Sequence, residues 1–355
     1  MKKMDRKGKA LLVCSLLAAL TIHTGTAYGA TGIDVEKTDC QLTFTLDAEE
    51  LPSKEQAILQ ETVAGYQSYY QELSEALNEQ AIEAKIYRVA EVDVSGQYAL
   101  LPNYAGAEAL SGITRASAQT TANEWAMWAE EASVIARAQT PQQTVLIEKD
   151  ADGKVHGYAK DLPTGLYLVD VTPVETTGYQ YQFIPYLISL PNHYGDDGGS
   201  DEWIYGDGDT PVLVALKPER EDRYGDLVIE KDLTSYHETL GGASFVYEIR
   251  AVKEDALVHS DVVALNFDAP GQKSLTVTGI PAAAEVTVTE IYTGARYQAV
   301  GAASQTRQTE ADRAVQVSFE NEYDGSLNGG GPAVVNHFTY EKDIEGSENL
   351  TWERQ

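Results

Sequence analysis

VQVSFENEY, residues 315–323, reads as a strand, and its one exception decides how the second half of the chain is built. With a two-residue period Val315, Val317, Phe319 and Tyr323 share a face, and Asn321 stands among them. A buried amide left unpaired costs roughly 1–3 kcal/mol, so an asparagine there must be hydrogen-bonded or chemically used. Two further strands carry the same kind of exception. In LVIEKDL (227–233) Lys231 shares a face with Leu227, Ile229 and Leu233; in VTVTEIY (286–292) Glu290 shares one with Val286, Val288 and Tyr292.

Lysine and glutamate are rarely buried unless paired. Desolvation favours the uncharged amine and the uncharged acid. A neutral amine is a nucleophile, and a neutral carboxylic acid can polarise an amide carbonyl and shuttle protons. The three residues therefore suit an amide crosslink between Lys231 and Asn321, formed with loss of ammonia and promoted by Glu290. The same pattern also suits a buried Lys–Glu pair beside a hydrogen-bonded asparagine. Alternation alone leaves both readings open, because face assignment depends on register. Asn336, which shares a face with Val334 and Phe338 in AVVNHF (333–338), is a rival acceptor. Asn321 is favoured because the Gly-rich hinge DGSLNGGGP (324–332) separates Asn336 from the other strands.

Outward from these strands, residues 226–323 read as one all-β unit: DLVIEKDL, ASFVYEIRAV, DVVALNFDAPGQKSLTVTGIP, AEVTVTEIY and VQVSFENEY are short, evenly spaced strands of a sandwich. Residues 324–355 form the hinge and a C-terminal segment with one more strand. Upstream, 31–220 mixes strands with helices. CQLTFTL (40–46) is a strand, and 53–80 an amphipathic helix with Ile58, Leu59, Val63, Tyr66, Tyr70, Leu73 and Leu77 at helical spacing and Ser53/Gln56 as a capping box. AKIYRVAEVD (84–93) is strand-like. A second helix is expected over 116–139, its Trp125 and Trp128 facing the core and not a sugar. From residue 143 the pattern turns to β, with turns at DADG, LPTG and TTG.

The first 30 residues have the order of a secretory signal peptide: basic cluster, short apolar run, small residues at Ala27, Gly29 and Ala30. Val13 in LLVC argues against lipidation of Cys14. An exported protein then retains Cys40 alone, too few for an internal disulfide, and any covalent reinforcement must be of another kind. Cys40 alternates with Leu42, Phe44 and Leu46, the pattern of a buried, inert thiol. With 55 acidic against 26 basic residues and a net charge of −29, the chain repels phosphate, so nucleic acid and anionic lipid are poor partners. The five aspartates of 192–210 lack EF-hand spacing; no metal and no cofactor is expected.

The Lys of LVIEKDL, the Glu of VTVTEIY and the Asn of VSFENEY, in that order, resemble the B-type (Cna-B-like) repeat domains of Gram-positive collagen adhesins and sortase-assembled pilins. The resemblance covers nearly all of 226–323. It implies immunoglobulin-like sandwiches in tandem, the first with inserted α-helices, and a Lys231–Asn321 isopeptide bond promoted by Glu290. IYRVAEVD, GQYAL, DLPTGLYLVD and FIPYLISLP, followed by a tryptophan before VLVALKPE, are similar to the N-terminal domain of the same pilins. Shaft pilins of that family link through the lysine of W-x-x-x-V-x-V-Y-P-K. Here Trp203 lies further from VALKPE, Glu219 stands at the lysine position and Lys217 comes two residues earlier, so shaft polymerisation is not implied. CQLTFTL holds no lysine, and no isopeptide bond is expected in the first domain. NLTWERQ (349–355) carries no Leu-Pro-x-Thr-Gly sorting signal; either the C-terminus lies further on or attachment takes another route.

The resemblance implies a secreted, wall-associated pilin or pilin-like adhesin subunit, with sortase and other pilins as partners and a host or glycan ligand as a further one. The alternative is a secreted ligand-binding module, outside pili, that uses the 192–210 loop and a surface drawn from 21 tyrosines. An enzyme is not expected: G-x-S-x-G and H-E-x-x-H are both missing from the sequence.

Overall fold

The structure is a computed structural model; it describes residues 32–51, 56, 66–77, 81–117, 119–193, 203–208, 210–325, 336–342 and 348–354. It is mainly β and divides into two compact units, one ending at Tyr224 and counting Pro281–Ala283, the other starting at Gly225.

The first unit is built on strands β1 (Cys40–Thr45), β2 (Ile82–Val92), β3 (Tyr98–Leu100), β4 (Gln143–Lys149), β5 (Val155–Leu162), β6 (Gly165–Val171), β7 (Val174–Glu175), β8 (Tyr179–Phe183), β9 (Tyr186–Leu190), β10 (Val212–Ala215) and β11 (Pro218–Asp222). Its main sheet runs β10-β1-β5-β4-β2-β6-β9, with β3 on β2, and a smaller sheet runs β11-β8-β7. Neighbours are antiparallel except β1 and β10. Both faces of the main sheet are covered. Ile82, Ala84 and Ile86 of β2 join Tyr167 and Val169 of β6 in one cluster, whereas Tyr87 and Val89 join Leu166 and Leu168 in another. That is why GLYLVDV reads as a continuous apolar run and not as an alternation.

The second cluster holds the helix Ala122–Ala136. It begins later than the expected 116, because Thr121 and Glu124 form a capping box: Thr121 Oγ1 accepts from the Glu124 amide (3.3 Å) and Glu124 Oε2 from the Thr121 amide (2.8 Å). Trp125 and Trp128 are 4 % and 9 % exposed and stand edge to face at 4.8 Å, which makes them core residues. Of the expected 53–80 helix, Tyr66–Ala76 is described; Ser53, Ile58, Leu59 and Val63 lie outside the described residues. Leu73 and Tyr70 bury into the first cluster, and the Tyr70 hydroxyl donates to Leu216 O (2.5 Å). Glu72 binds Arg220 (2.8 Å), whose guanidinium lies over Tyr179 and Tyr69 (4.0 and 4.7 Å to the centroids). The helix is thereby fixed to β8 and β11.

The second unit is a sandwich of β12 (Tyr224–Leu233), β13 (Ala243–Lys253), β14 (Ala256–Phe267), β15 (Gly271–Pro281), β16 (Glu285–Tyr292), β17 (Tyr297–Val300), β18 (Ser304–Gln308) and β19 (Ala314–Tyr323). One sheet runs β15-β12-β19-β17, the other β14-β13-β16-β18, with a shared apolar core between them. The run DVVALNFDAPGQKSLTVTGIP is two strands, β14 and β15. Beyond it, β20 (Asn336–Lys342) and β21 (Glu348–Arg354) pair only with each other among the described strands.

The entry into β12 is tight. A Cβ on Gly225 would sit 2.0 Å from Glu310 O and 2.9 Å from Arg313 O, both backbone atoms with no rotamer to change. Gly225→Ala is expected to cost about 1–3 kcal/mol, the usual range for overpacking, read as a lower denaturant midpoint with an unchanged m-value.

Candidate functional site

β12 and β19 lie side by side in parallel, with Lys231 opposite Phe319 and Leu233 opposite Asn321. In this register the inward positions of both strands point at β13 and β16 of the other sheet. Lys231 and Asn321 are offset by two residues on adjacent strands, a separation that a lysine side chain spans. The Lys231 Nζ donates to Asn321 Oδ1 and, across the sandwich, to Glu290 Oε1 (2.7 Å). Lys231 and Asn321 are wholly buried, as is the Glu290 carboxylate. The three residues singled out by strand alternation thus meet at one point.

The surroundings are aromatic. Nζ lies 4.5 Å from the Phe245 centroid and 6.0 Å from that of Tyr247, which packs on Phe319 at 5.1 Å. Removal from water holds the Lys231 ammonium below the usual lysine range, with the Glu290 hydrogen bond opposing that shift. Asn321 is fixed at both ends: Nδ2 donates to Thr293 O (3.3 Å), and its backbone carbonyl accepts from the Thr234 amide (3.0 Å). The Tyr247 hydroxyl donates to Glu290 Oε1 (3.3 Å), while Oε2 is buried without a hydrogen-bond partner. Phe245, Tyr247 and Thr293 are the residues that sequence reasoning missed. In ASFVYEIRAV the aromatics look like ordinary core positions, and nothing local marks the Tyr247 hydroxyl as facing a carboxylate.

Residues 227–324, the sandwich from β12 through β19, match a protein family described as a domain of unknown function (DUF5979). Among solved structures, the chain is similar to the minor pilin GBS52 of Streptococcus agalactiae at 14 % identity over 83 % of this chain and 99 % of that one (TM-score 0.23). It is similar to a streptococcal ancillary pilin at 12 % over 88 % and 83 % (0.25), and to the major pilin T-13 of Streptococcus pyogenes at 9 % over 81 % and 98 % (0.24). Comparison with curated proteins gives no match. At such scores the likeness transfers no residue's role, and the chemistry rests on the geometry above.

The remaining candidates lie elsewhere. Asn336 is on β20, opposite Arg354 and in neither sandwich sheet. In the first unit Trp203 stands edge-on to His193 at 5.8 Å, while Lys217 lies over the Tyr186 ring at 5.2 Å. Glu219, on β11, is paired with Gln182 of β8. Cys40 is fully buried, and burial pushes its thiol up to about 12, so it stays protonated at neutral pH and is a poor nucleophile. Residues 194–202 and 209 of the acidic loop lie outside the described residues. Within the rest, Asp207 binds Lys37 (2.6 Å), and among the described residues no group of three or more His, Cys, Asp or Glu is placed to hold a metal. No helix among them is long and apolar enough to cross a membrane.

Proposed function

We propose that the chain is a non-enzymatic, secreted surface subunit, a pilin or pilin-like protein, whose second unit is closed by a self-formed amide between Lys231 and Asn321. The supporting observation is the convergence of Nζ, the Glu290 carboxyl and the Asn321 amide in a buried, aromatic-lined point. Glu290 Oε1 takes a proton from Nζ; the freed lone pair attacks Asn321 Cγ. The Nζ–Cγ bond forms; as the Cγ–Nδ2 bond breaks, the carboxyl passes its proton to the departing nitrogen, which leaves as ammonia, and takes up the second proton from Nζ. Lys231 and Asn321 are consumed and Glu290 ends protonated, so this is a single-turnover maturation and not catalysis of an external substrate. Holding the reactants in place can contribute roughly 7–11 kcal/mol toward the barrier. Sortase and other pilins are the proposed partners, and the cell wall the proposed location.

Wall extracts boiled in SDS and blotted for residues 226–323 test the assignment. Species heavier than the monomer are expected from sortase-positive cells; monomer confined to the medium would refute it. Incubated alone with a pilus sortase, the chain is expected to form no ladder through Lys217, because Glu219 occupies the linking position. Ladders lost on Lys217→Ala would make it a shaft subunit.

A further inference from the structure

We infer that Tyr247 is the positioning residue of the crosslinking reaction, holding the Glu290 carboxyl so that Oε1 faces the Lys231 amine. The inference rests on the crosslinking reading above. Its origin is a register shift: β13 pairs Val246 with Tyr292 but Tyr247 with Glu290, so an irregularity between Val246 and Tyr247 sets the phenol directly across from the glutamate. Tyr247 is wholly buried. Its hydroxyl and Lys231 Nζ both donate to Oε1, at 3.3 and 2.7 Å, and Oε2 receives no donor. Two donors on one oxygen and none on the other fix the rotation of the carboxyl group. Rotating the carboxylate part-way out of this orientation would break the phenol contact and leave the hydroxyl unpaired in the core. The proton that leaves Nζ therefore has a defined acceptor, in the geometry from which Nζ reaches Asn321.

The groups facing Glu290 are Lys231 from β12 and Tyr247 from β13, with the neutral Asn321 amide on the far side of Nζ; Asp232 and Glu320 act on Lys231 through space.

Tyr247→Phe keeps the ring against Phe319 and deletes only the hydroxyl. Full chains from residue 32, made by brief cell-free synthesis into guanidinium, are diluted into native buffer, quenched at intervals and weighed intact, with refolding followed in parallel by circular dichroism. Loss of ammonia is expected to be about 3- to 10-fold slower in Tyr247→Phe than in wild type, while the two chains refold at the same rate by circular dichroism. An unchanged rate overturns the inference and leaves the crosslink standing. A slower rate matched by equally slowed refolding assigns Tyr247 to folding alone and also overturns it. Wild type that never loses ammonia refutes the crosslinking reading itself.

Discussion

The folded chain from residue 32 onward is expected to weigh one ammonia less than its sequence mass, and Lys231→Ala, Asn321→Ala and Glu290→Ala are expected to restore the full mass. The three losses arise differently. Lys231→Ala removes the nucleophile and Asn321→Ala the electrophile, so neither can form the bond at any time. Glu290→Ala removes the proton carrier and leaves the buried lysine without its carboxylate. General acid–base catalysis contributes about 10²–10⁴-fold, so crosslinking should fall by that factor and slowly reappear on long incubation. Protease digestion should yield one branched peptide joining the Lys231 and Asn321 segments. Asn336→Ala should leave the mass deficit intact, since β20 pairs outside the sandwich. Full sequence mass in folded wild type would end the case for the bond.

The site was legible in the sequence because burial filters residue types strongly: Lys231, Glu290 and Asn321 each interrupt a face otherwise filled by Leu, Ile, Val, Phe or Tyr. The sequence could not supply register. The parallel pairing of β12 with β19, and the two-residue offset it imposes, decide whether Nζ reaches Asn321, and neither is encoded locally. Tyr247 was illegible for the same reason, since its role depends on a pairing irregularity with β16. In the fold, β17 and β18 escaped notice: SQTRQ (304–308) is almost wholly exposed and carries no apolar alternation, so tertiary pairing alone makes it a strand. The helix at 122–136 was legible in its apolar stripe but not in its start, which one capping box sets against a longer run of helix-compatible residues.

Proteolysis in reducing buffer is expected to separate the two units, and the topology of the bond says why. Lys231 is near the end of β12 and Asn321 near the end of β19, 90 residues apart in sequence. Closing a loop of that length stabilises by roughly 4–5 kcal/mol on the chain-entropy model, less any native strain. An amide, unlike a disulfide, survives thiols. Tension entering at Tyr224 and leaving at Tyr323 would pass from Lys231 across the bond to Asn321, and the intervening loop would carry none of it. At about 3.4 Å per residue, roughly 300 Å of extension is withheld. No counterpart is expected in the first unit, because β1 directs Cys40, Leu42 and Phe44 inward and contains no lysine. With added thiol, cleavage is therefore expected within 40–215 before any within 226–323, and Asn321→Ala, which keeps the Lys231–Glu290 pair, should bring the second unit's resistance down toward the first. Wild type and Asn321→Ala of equal sensitivity, or earlier cleavage in the second unit, would remove the mechanical argument for a surface subunit built around this bond.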